Sequence, residues 1–477
     1  MTSQPTASFR DPENAAFHHD GTWYRIASPA SAEAINTLRD SDLYDALISE
    51  RALVPFERVE AGQAADILAA FARSAGRDPR PESRVFSVDT VDVITYPWEW
   101  PNSLLESAAQ LTLSLRMRLL DIGLDLKDAS AFNVQFDGLA PRFIDIGSIE
   151  TWRPNPSWNA SRQFIEHFIN PLAVGSGEQV TAADAWQLSR HRGLRSDAAR
   201  QLLPKGKRRS LSLLLLQATT RPTSKAPSET QFAGEANKHR DLALSATKGL
   251  TKRLAKQITK LHGDAHSTTW VGYGSREHYE ESDLTRKSAF AAEFINAHPG
   301  RERLVLDVGG NDGFTASRLV RDTNAHVIVM DADAGALDVL HAGVSTNPDL
   351  AGRITPILGD ITNLSPASGL LDAEFDSYLA RVRPTALICQ AVLHHVVITQ
   401  GTPMPFAVEA LARFGAPVQI EFATEDDEKV RLLLSQIPNW SGDYSTAALL
   451  EALRARFAHV EDVGTTSATR VVVNAWN

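Results

Sequence analysis

From residue 303 onward the chain alternates short, unbroken apolar runs with helix-patterned segments. That alternation limits the folds open to it more than any other feature. The runs RLVLDVG, HVIVMD, RITPILGDI, TALICQAVL and PVQIEF are each of strand length. Among them lie FTASRLVRD, PFAVEALARF and YSTAALLEALRARF, whose apolar residues recur at helical spacing, and TRVVVNAW reads as a final strand. Strands without a polar face must be covered on both sides, so the pattern predicts an α/β fold with a mostly parallel sheet between two helical layers. Ligands of such sheets bind beyond the carboxyl ends of the strands, near the point where the strand order reverses. The residues that close each strand are therefore the candidates.

The first strand ends Asp307-Val308-Gly309-Gly310-Asn311-Asp312-Gly313. Glycines there let the backbone turn sharply and approach a ligand closely, and Asn311 is of the non-glycine type that best tolerates a left-handed conformation. The segment is not the G-x-G-x-x-G of a dinucleotide fold. The second strand ends at Asp331, followed by Ala332, 18 residues after Gly313, where an acidic side chain can receive ribose hydroxyls. The third closes with Gly359-Asp360-Ile361, a carboxylate within reach of a purine amino group. Asp333 is either part of this set or the cap of the next helix.

Taken in order, LVLDVGGNDGF, VIVMDAD, LGDI and QAVLHHV resemble the motifs of class I S-adenosylmethionine-dependent methyltransferases, with Asn311 where glycine is commoner. VLHH followed by IEF and EDDEKVRLLL, with Trp270, Tyr273 and Lys287 ahead of the first motif, is similar to a bacterial family of nodulation-protein-like methyltransferases. The upstream segments LKDASAFNVQF, FIDIGSIE and WNASRQFIEHFINPLAV share that likeness, which spans about residues 85–477. The resemblance implies a Rossmann-like domain over 265–477 with a mostly parallel, seven-stranded sheet and S-adenosyl-L-methionine as cofactor. It places Asp307, Gly309, Gly310, Asn311 and Gly313 along the amino-acid end of that cofactor. Asp331 and Ala332 fall at its ribose, Asp360 and the Ile361 N–H at its adenine, and Gln390 and Tyr273 nearby. His394 and His395 follow the fourth strand on the side of the methyl group and are candidate general bases, because an unperturbed imidazole titrates near neutrality. Glu421, at the tip of the fifth strand, is a further candidate for acceptor binding. No N-P-P-Y or D-P-P-Y follows strand four and no Asp-Asn pair suits a magnesium-chelating site, which argues against nucleobase and catechol-type acceptors; no metal is implied. The lone cysteine, Cys389, lies in an apolar run and reads as a buried small hydrophobe. The implied activity is methyl transfer to an O or N atom of a small molecule, of the kind found in specialised metabolism.

The first half, residues 1–200, reads as an α+β accessory domain that recognises the acceptor. Its segment 106–148 has the outline of a protein-kinase catalytic loop. A long helix precedes Lys127-Asp128, Asn133 follows, and then Asp145-Ile146-Gly147. Leu126 stands in place of the usual His, and neither a G-x-G-x-x-G loop nor a V-A-I-K lysine is present, so a degenerate kinase-like fold and chance resemblance are the two readings. The cluster Tyr96-Pro97-Trp98-Glu99-Trp100, with Trp152 and Trp158, reads as core or as an acceptor pocket.

Charge divides the halves. The whole chain carries −10, so it is no general polyanion binder, yet residues 202–260 hold 13 Lys/Arg against 3 Asp/Glu. This zone, within 201–264, reads as a polar linker and a connecting helix. Leu250, Leu254, Ile258 and Leu261 form its apolar stripe, and Lys248, Lys252, Lys256 and Lys260 a solvated one. Neither stacking aromatics nor a nucleic-acid motif accompanies the charge. A basic n-region is absent from the start, and no apolar run nears the ~20 residues of a membrane span, so the expectation is a cytoplasmic enzyme acting on a small molecule. A homodimer is left open. The rival readings are a phosphotransferase in the first half and a non-catalytic cofactor-binding partner protein.

Overall fold

The structure, a computed structural model, describes residues 11, 13–154, 158–177, 180–189, 191–203, 236–261, 281–298 and 303–477. Tyr273 and Trp270, expected near the cofactor, lie outside the described residues, as does the linker stretch 204–235.

The amino-terminal part opens with an antiparallel sheet of β1 (Asn14–His19), β2 (Thr22–Ala27), β3 (Phe56–Arg58) and β4 (Arg84–Val88) in the order β1-β2-β4-β3. Asp20 and Gly21, at φ 47° and 79°, make the tight turn between the first two, as an Asp-Gly pair favours. The helix Pro29–Arg39 follows, with Ser28 accepting the Ser31 N–H and proline at its start. The long helix Asn102–Asp121 then packs on two small strand pairs, β5 (Leu124–Leu126) with β8 (Ile149–Thr151) and β6 (Val134–Asp137) with β7 (Ala140–Phe143). Tyr96, Trp98, Trp100 and Trp158 are buried in the core, whereas Trp152, buried too, borders a cavity lined also by Arg116, Asp125, Glu150 and Thr247.

The connecting helix Ala236–Leu261 lies along Asn102–Asp121, with Leu254, Ile258 and Leu261 buried as its apolar stripe required. The two helices are tied by Arg116, which has no exposed surface. It donates to both carboxylate oxygens of Asp125 at 2.7 and 3.0 Å and to Thr251 Oγ1 at 2.7 Å, with its guanidinium 4.0 Å from the Trp158 ring centroid. Lys252, Lys256 and Lys260 face solvent and Lys248 pairs with Asp121.

The carboxyl-terminal part is built on β9 (Leu304–Val308), β10 (His326–Asp331), β11 (Ile354–Leu358), β12 (Ala386–Gln390), β13 (Val418–Ala423), β14 (His459–Ser467) and β15 (Arg470–Trp476). Their order is β11-β10-β9-β12-β13-β15-β14, and only β15 runs against the rest. The mostly parallel seven-stranded sheet is therefore present. The strand order reverses on either side of β9, which puts the switch point between β9 and β12.

The two parts share a continuous core that runs from Ala27 and Leu53 through Trp100 to Val305 and Ile388. Val93 packs into the second cluster, under β12 and β13. Backbone and side-chain bonds cross the seam, from Leu139 N–H to Ala351 O at 2.7 Å and from Ser103 N–H to Asp338 Oδ1 at 2.9 Å.

Candidate active site

The turn after β9 is shaped by its glycines. Gly309 sits at φ +66°, and a Cβ there would lie 2.5 Å from Val392 Cγ2. At Gly310 a Cβ would lie 2.7 Å from Asp307 Oδ2, so a side chain would occupy the space the carboxylate faces. Asn311 adopts φ 51°, the left-handed conformation its residue type tolerates. Gly313 starts the helix Phe314–Asp322. The turn is tied to β10 through the Gly309 N–H, which donates to Met330 O at 2.7 Å, and the Asn311 N–H, which donates to Asp331 Oδ2 at 2.9 Å.

Asp307 is 2 % exposed, and among the described residues its Oδ2 has no hydrogen-bond partner; neither has the buried Asn311 Oδ1. Burial, with the Asp331 carboxylate adding to it and Lys287 opposing, pushes the Asp307 carboxyl up to about 7. Burial also raises Asp331, although N–H groups of Asp333 and Asn311 point at it. Asp333 is a cap: its Oδ1 accepts the N–H groups of Gly335 and Ala336 at 2.8 and 3.2 Å. Ala332 is exposed just beyond Asp331. The third strand end is joined to the second by the Gly359 N–H, which donates to Asp331 O at 2.9 Å. Asp360 accepts from Thr362 N–H and Oγ1 at 2.8 Å and from Gln400 Nε2 at 3.2 Å, and Ile361 is buried beside it.

Gln390 ends β12 with its side chain engaged. Its Oε1 accepts from Thr315 Oγ1 at 3.0 Å and its Nε2 donates to the Lys287 carbonyl at 3.4 Å. Ala391 takes φ 57°, an uncommon value for a residue with a Cβ, and its N–H donates to Glu421 O. His394 and His395 follow, with ring centroids 4.1 Å apart, and His395–Thr399 forms a π turn, a form often met at functional sites. His394 is 3 % exposed, and its buried Nδ1 has no hydrogen-bond partner among the described residues. The near-neutral titration expected from the sequence does not hold here. Burial, then the cations Arg470 and Lys287 with His395, hold His394 well below the ordinary imidazole value. Burial and the charges of Arg470 and Lys429 carry His395 down to about 4.

Glu421 differs from the strand-tip acid expected. It is 1 % exposed and forms the centre of an ion cluster, with Lys287 Nζ 2.9 Å from Oε2, Thr466 Oγ1 donating to Oε1 at 2.6 Å and Arg470 Nη1 3.9 Å away. Burial alone would raise its carboxyl, but Lys287, Arg470 and Thr466 outweigh it and the net shift is downward. Lys287, Arg470 and Thr466 were not expected as site residues. Only Lys287 had a signal, as part of the motif set preceding the first strand. Cys389 is buried and its thiol is pushed up to about 12 by burial, which keeps it protonated.

In the amino-terminal part Asp128, Asn133 and Asp145 come together. Asn133 Nδ2 donates to Asp128 Oδ1 at 3.2 Å and to Ser148 Oγ at 3.0 Å, and Ser148 Oγ in turn donates to Asp145. Burial, then the Asp145 charge, raises the Asp128 carboxyl. Arg25, from β2, lies 2.5 Å from Asp145 Oδ1, and Lys127 lies 3.3 Å from Asp11. Among the described residues no group of three or more His, Cys, Asp or Glu is disposed to hold a metal ion. No helix among them is long and apolar enough to cross a membrane.

No family model matches the chain. It is similar to nodulation protein NoeA of Rhizobium meliloti (strain 1021), with 29% identity over 450 residues, 94% of this chain and 90% of that one. The resemblance to nodulation proteins drawn from the motifs thus holds over nearly the whole length. Solved structures that align with part of it include monomeric WbdD, at 18% identity and a TM-score of 0.32 over 45% of each chain. Another is the magnesium protoporphyrin IX methyltransferase of Synechocystis PCC 6803 with bound SAM, at 14% identity and a TM-score of 0.31 over 44% of this chain and 91% of that one. The chain thus spans less than half the length of WbdD.

Proposed function

We propose that this chain, similar to NoeA over 94% of its length, transfers a methyl group from S-adenosylmethionine to an oxygen or nitrogen atom of a small-molecule acceptor of specialised metabolism. One observation carries the reading: Asp307, Asp331 and Asp360 close three adjacent parallel strands, β9, β10 and β11, beside the switch point at β12. The residues fit the cofactor. Asp307 Oδ2 and Asn311 Oδ1 are buried acceptors without a hydrogen-bond partner among the described residues, suited to the ammonium of an amino-acid moiety. Asp331, anchored by backbone N–H groups, presents its remaining lone pairs to a ribose, with Ala332 alongside. Asp360 and the Ile361 N–H offer one acceptor and one donor to an adenine edge. Bound there, the cofactor's sulfonium supplies an electrophilic methyl group for in-line displacement, so the protein's contribution is chiefly alignment.

His394 and His395 take the acceptor's proton. Their imidazoles are neutral at physiological pH and weakly basic, which suffices for an oxygen acceptor because the oxonium formed on methylation is strongly acidic, whereas an amine acceptor would have to enter as the free base. Glu421 acts through its ion cluster, which fixes the ends of β13 and β15 beside the histidines. The amino-terminal part is a degenerate kinase-like unit that shapes acceptor recognition. The guanidinium of Arg25 supplies the positive charge that Asp145 would otherwise take from a metal–nucleotide complex.

Titration calorimetry with S-adenosylmethionine tests the proposal. Micromolar binding to the wild type and a loss of at least ~10-fold in Asp331→Ala are expected. Unchanged affinity in that variant would remove the cofactor assignment, and binding without turnover of any acceptor would favour the non-catalytic alternative.

A further inference from the structure

Between Asp360 and β12 the chain leaves the sheet and runs against the amino-terminal part. At the centre of that contact Arg381 Nη2 lies 2.5 Å from Glu99 Oε1, with side-chain exposures of 3% and 2%. The same Glu99 oxygen accepts from Ser365 Oγ at 2.9 Å, and Oε2 accepts the Tyr96 N–H at 3.0 Å. Arg381 also donates to the carbonyls of Ile94 and Asp376 and lies 4.1 Å over the Tyr96 ring. The Tyr96 hydroxyl accepts the Asp376 N–H at 2.9 Å, and Phe375 seats its ring on Phe132, with centroids 5.0 Å apart.

Taking both charges of an ion pair out of water costs several kcal/mol and is only recovered where geometry is good and the other donors and acceptors are met. Here they are met from both parts of the molecule at once. The better-attested use of such a pair is to fix one arrangement among several. What it fixes is the exit from the cofactor crevice: Ser365 lies five residues after Asp360, whose carboxylate is held by Thr362 and Gln400.

We infer that Glu99, through Ser365 and Arg381, is a positioning residue for the loop that carries Asp360 and Ile361, so the amino-terminal part helps to build the adenine end of the cofactor site. The inference rests on reading the crevice as an S-adenosylmethionine site.

The test uses the full chain and the variants Glu99→Gln, Ser365→Ala and Tyr96→Phe. Calorimetry with S-adenosylmethionine and with adenosine is combined with hydrogen exchange of the amides at 360–376 in cofactor-free protein. Expected are folded variants whose affinity for both ligands falls by the same factor, roughly 5- to 30-fold, with faster exchange at 361–363. A merely cohesive contact would lower the melting temperature and leave native-state affinity alone; affinities within about twofold of wild type in folded variants overturn the inference. Should Glu99→Gln fail to fold, Ser365→Ala carries the test, because it keeps the ion pair. Should the wild type bind no S-adenosylmethionine, the function reading is what fails. Exchange at 361–363 then decides the anchoring alone, and unchanged rates overturn it.

Discussion

Lys287 Nζ lies 2.9 Å from Glu421 Oε2, and the Lys287 main-chain carbonyl accepts from Gln390 Nε2. One residue of the helix Glu281–Ala297 thus bonds to the ends of both β12 and β13. Its charge also opposes the rise of the Asp307 carboxyl and lowers the pKa of His394, so it acts on the proposed cofactor residues and the proposed bases together.

Removing Lys287 leaves a buried carboxylate without its nearest cation, a change that typically costs about 3–5 kcal/mol. Lys287→Met is expected to show a loss of that order in urea unfolding. The double variant Lys287→Met/Glu421→Gln, which removes both charges, should recover more than half of it. A single-variant loss under about 1 kcal/mol would mean the pair is solvated and not the hub described above.

With His395 at about 4 and His394 held low as well, both imidazoles are already deprotonated across the neutral range. With cofactor and acceptor saturating, so that the titration of free Asp307 does not enter, kcat should therefore show no inflection of the kind an ordinary histidine gives near about 6.5. At least one of His394→Ala and His395→Ala should lose about 10²-fold or more in kcat. Losses below about 10-fold in both would take general-base catalysis away from this pair.

The five runs of the parallel core were legible because apolar residues predominate in each, and β15 through its Val471–Val473 run, although Gln419 and Glu421 interrupt β13. Strand β14, HVEDVGTTS, was not: it lies at the sheet edge with most residues partly exposed, so it carries neither a continuous run nor a clean alternation. The carboxylates Asp307, Asp331 and Asp360 were found because strand ends are readable in order. The environment of Glu421 was not, because Thr466 lies 45 residues away and Lys287 on a helix ahead of the whole sheet. The depressed histidines follow first from burial, with Arg470 adding to it at both and Lys287 at His394. Local pattern shows where a side chain starts, and only the fold shows which charges it meets.

Arg25 lies 2.5 Å from Asp145, so the carboxylate is already compensated within the chain. Magnesium with ATP should leave the melting temperature of the wild type unchanged within about 1 °C, and Asp145→Asn should keep methyl transfer within about twofold. Nucleotide binding that needs Mg²⁺ and disappears in Asp145→Asn would restore the phosphotransferase reading.

Asp307 couples the site to stability. Its carboxyl titrates near 7 in the folded chain against an ordinary value of 3.8, so the native state holds a proton that the unfolded state has lost between those values. Its contribution is fully present below about pH 4 and is lost as pH rises through 7. Asp307→Asn has no such charge to desolvate. In the absence of cofactor it should match the wild type near pH 4 and exceed it progressively above, by roughly 1–4 kcal/mol at pH 8. The same variant should bind S-adenosylmethionine more weakly, because the orphaned Oδ2 in front of Gly310 is then part of an amide and no longer an ionisable acceptor. Chemical denaturation at four pH values between 4 and 8 measures the first effect and calorimetry the second. A stability gap that does not widen with pH would show that Asp307 is ionised in the free protein, its charge met by Lys287 after all.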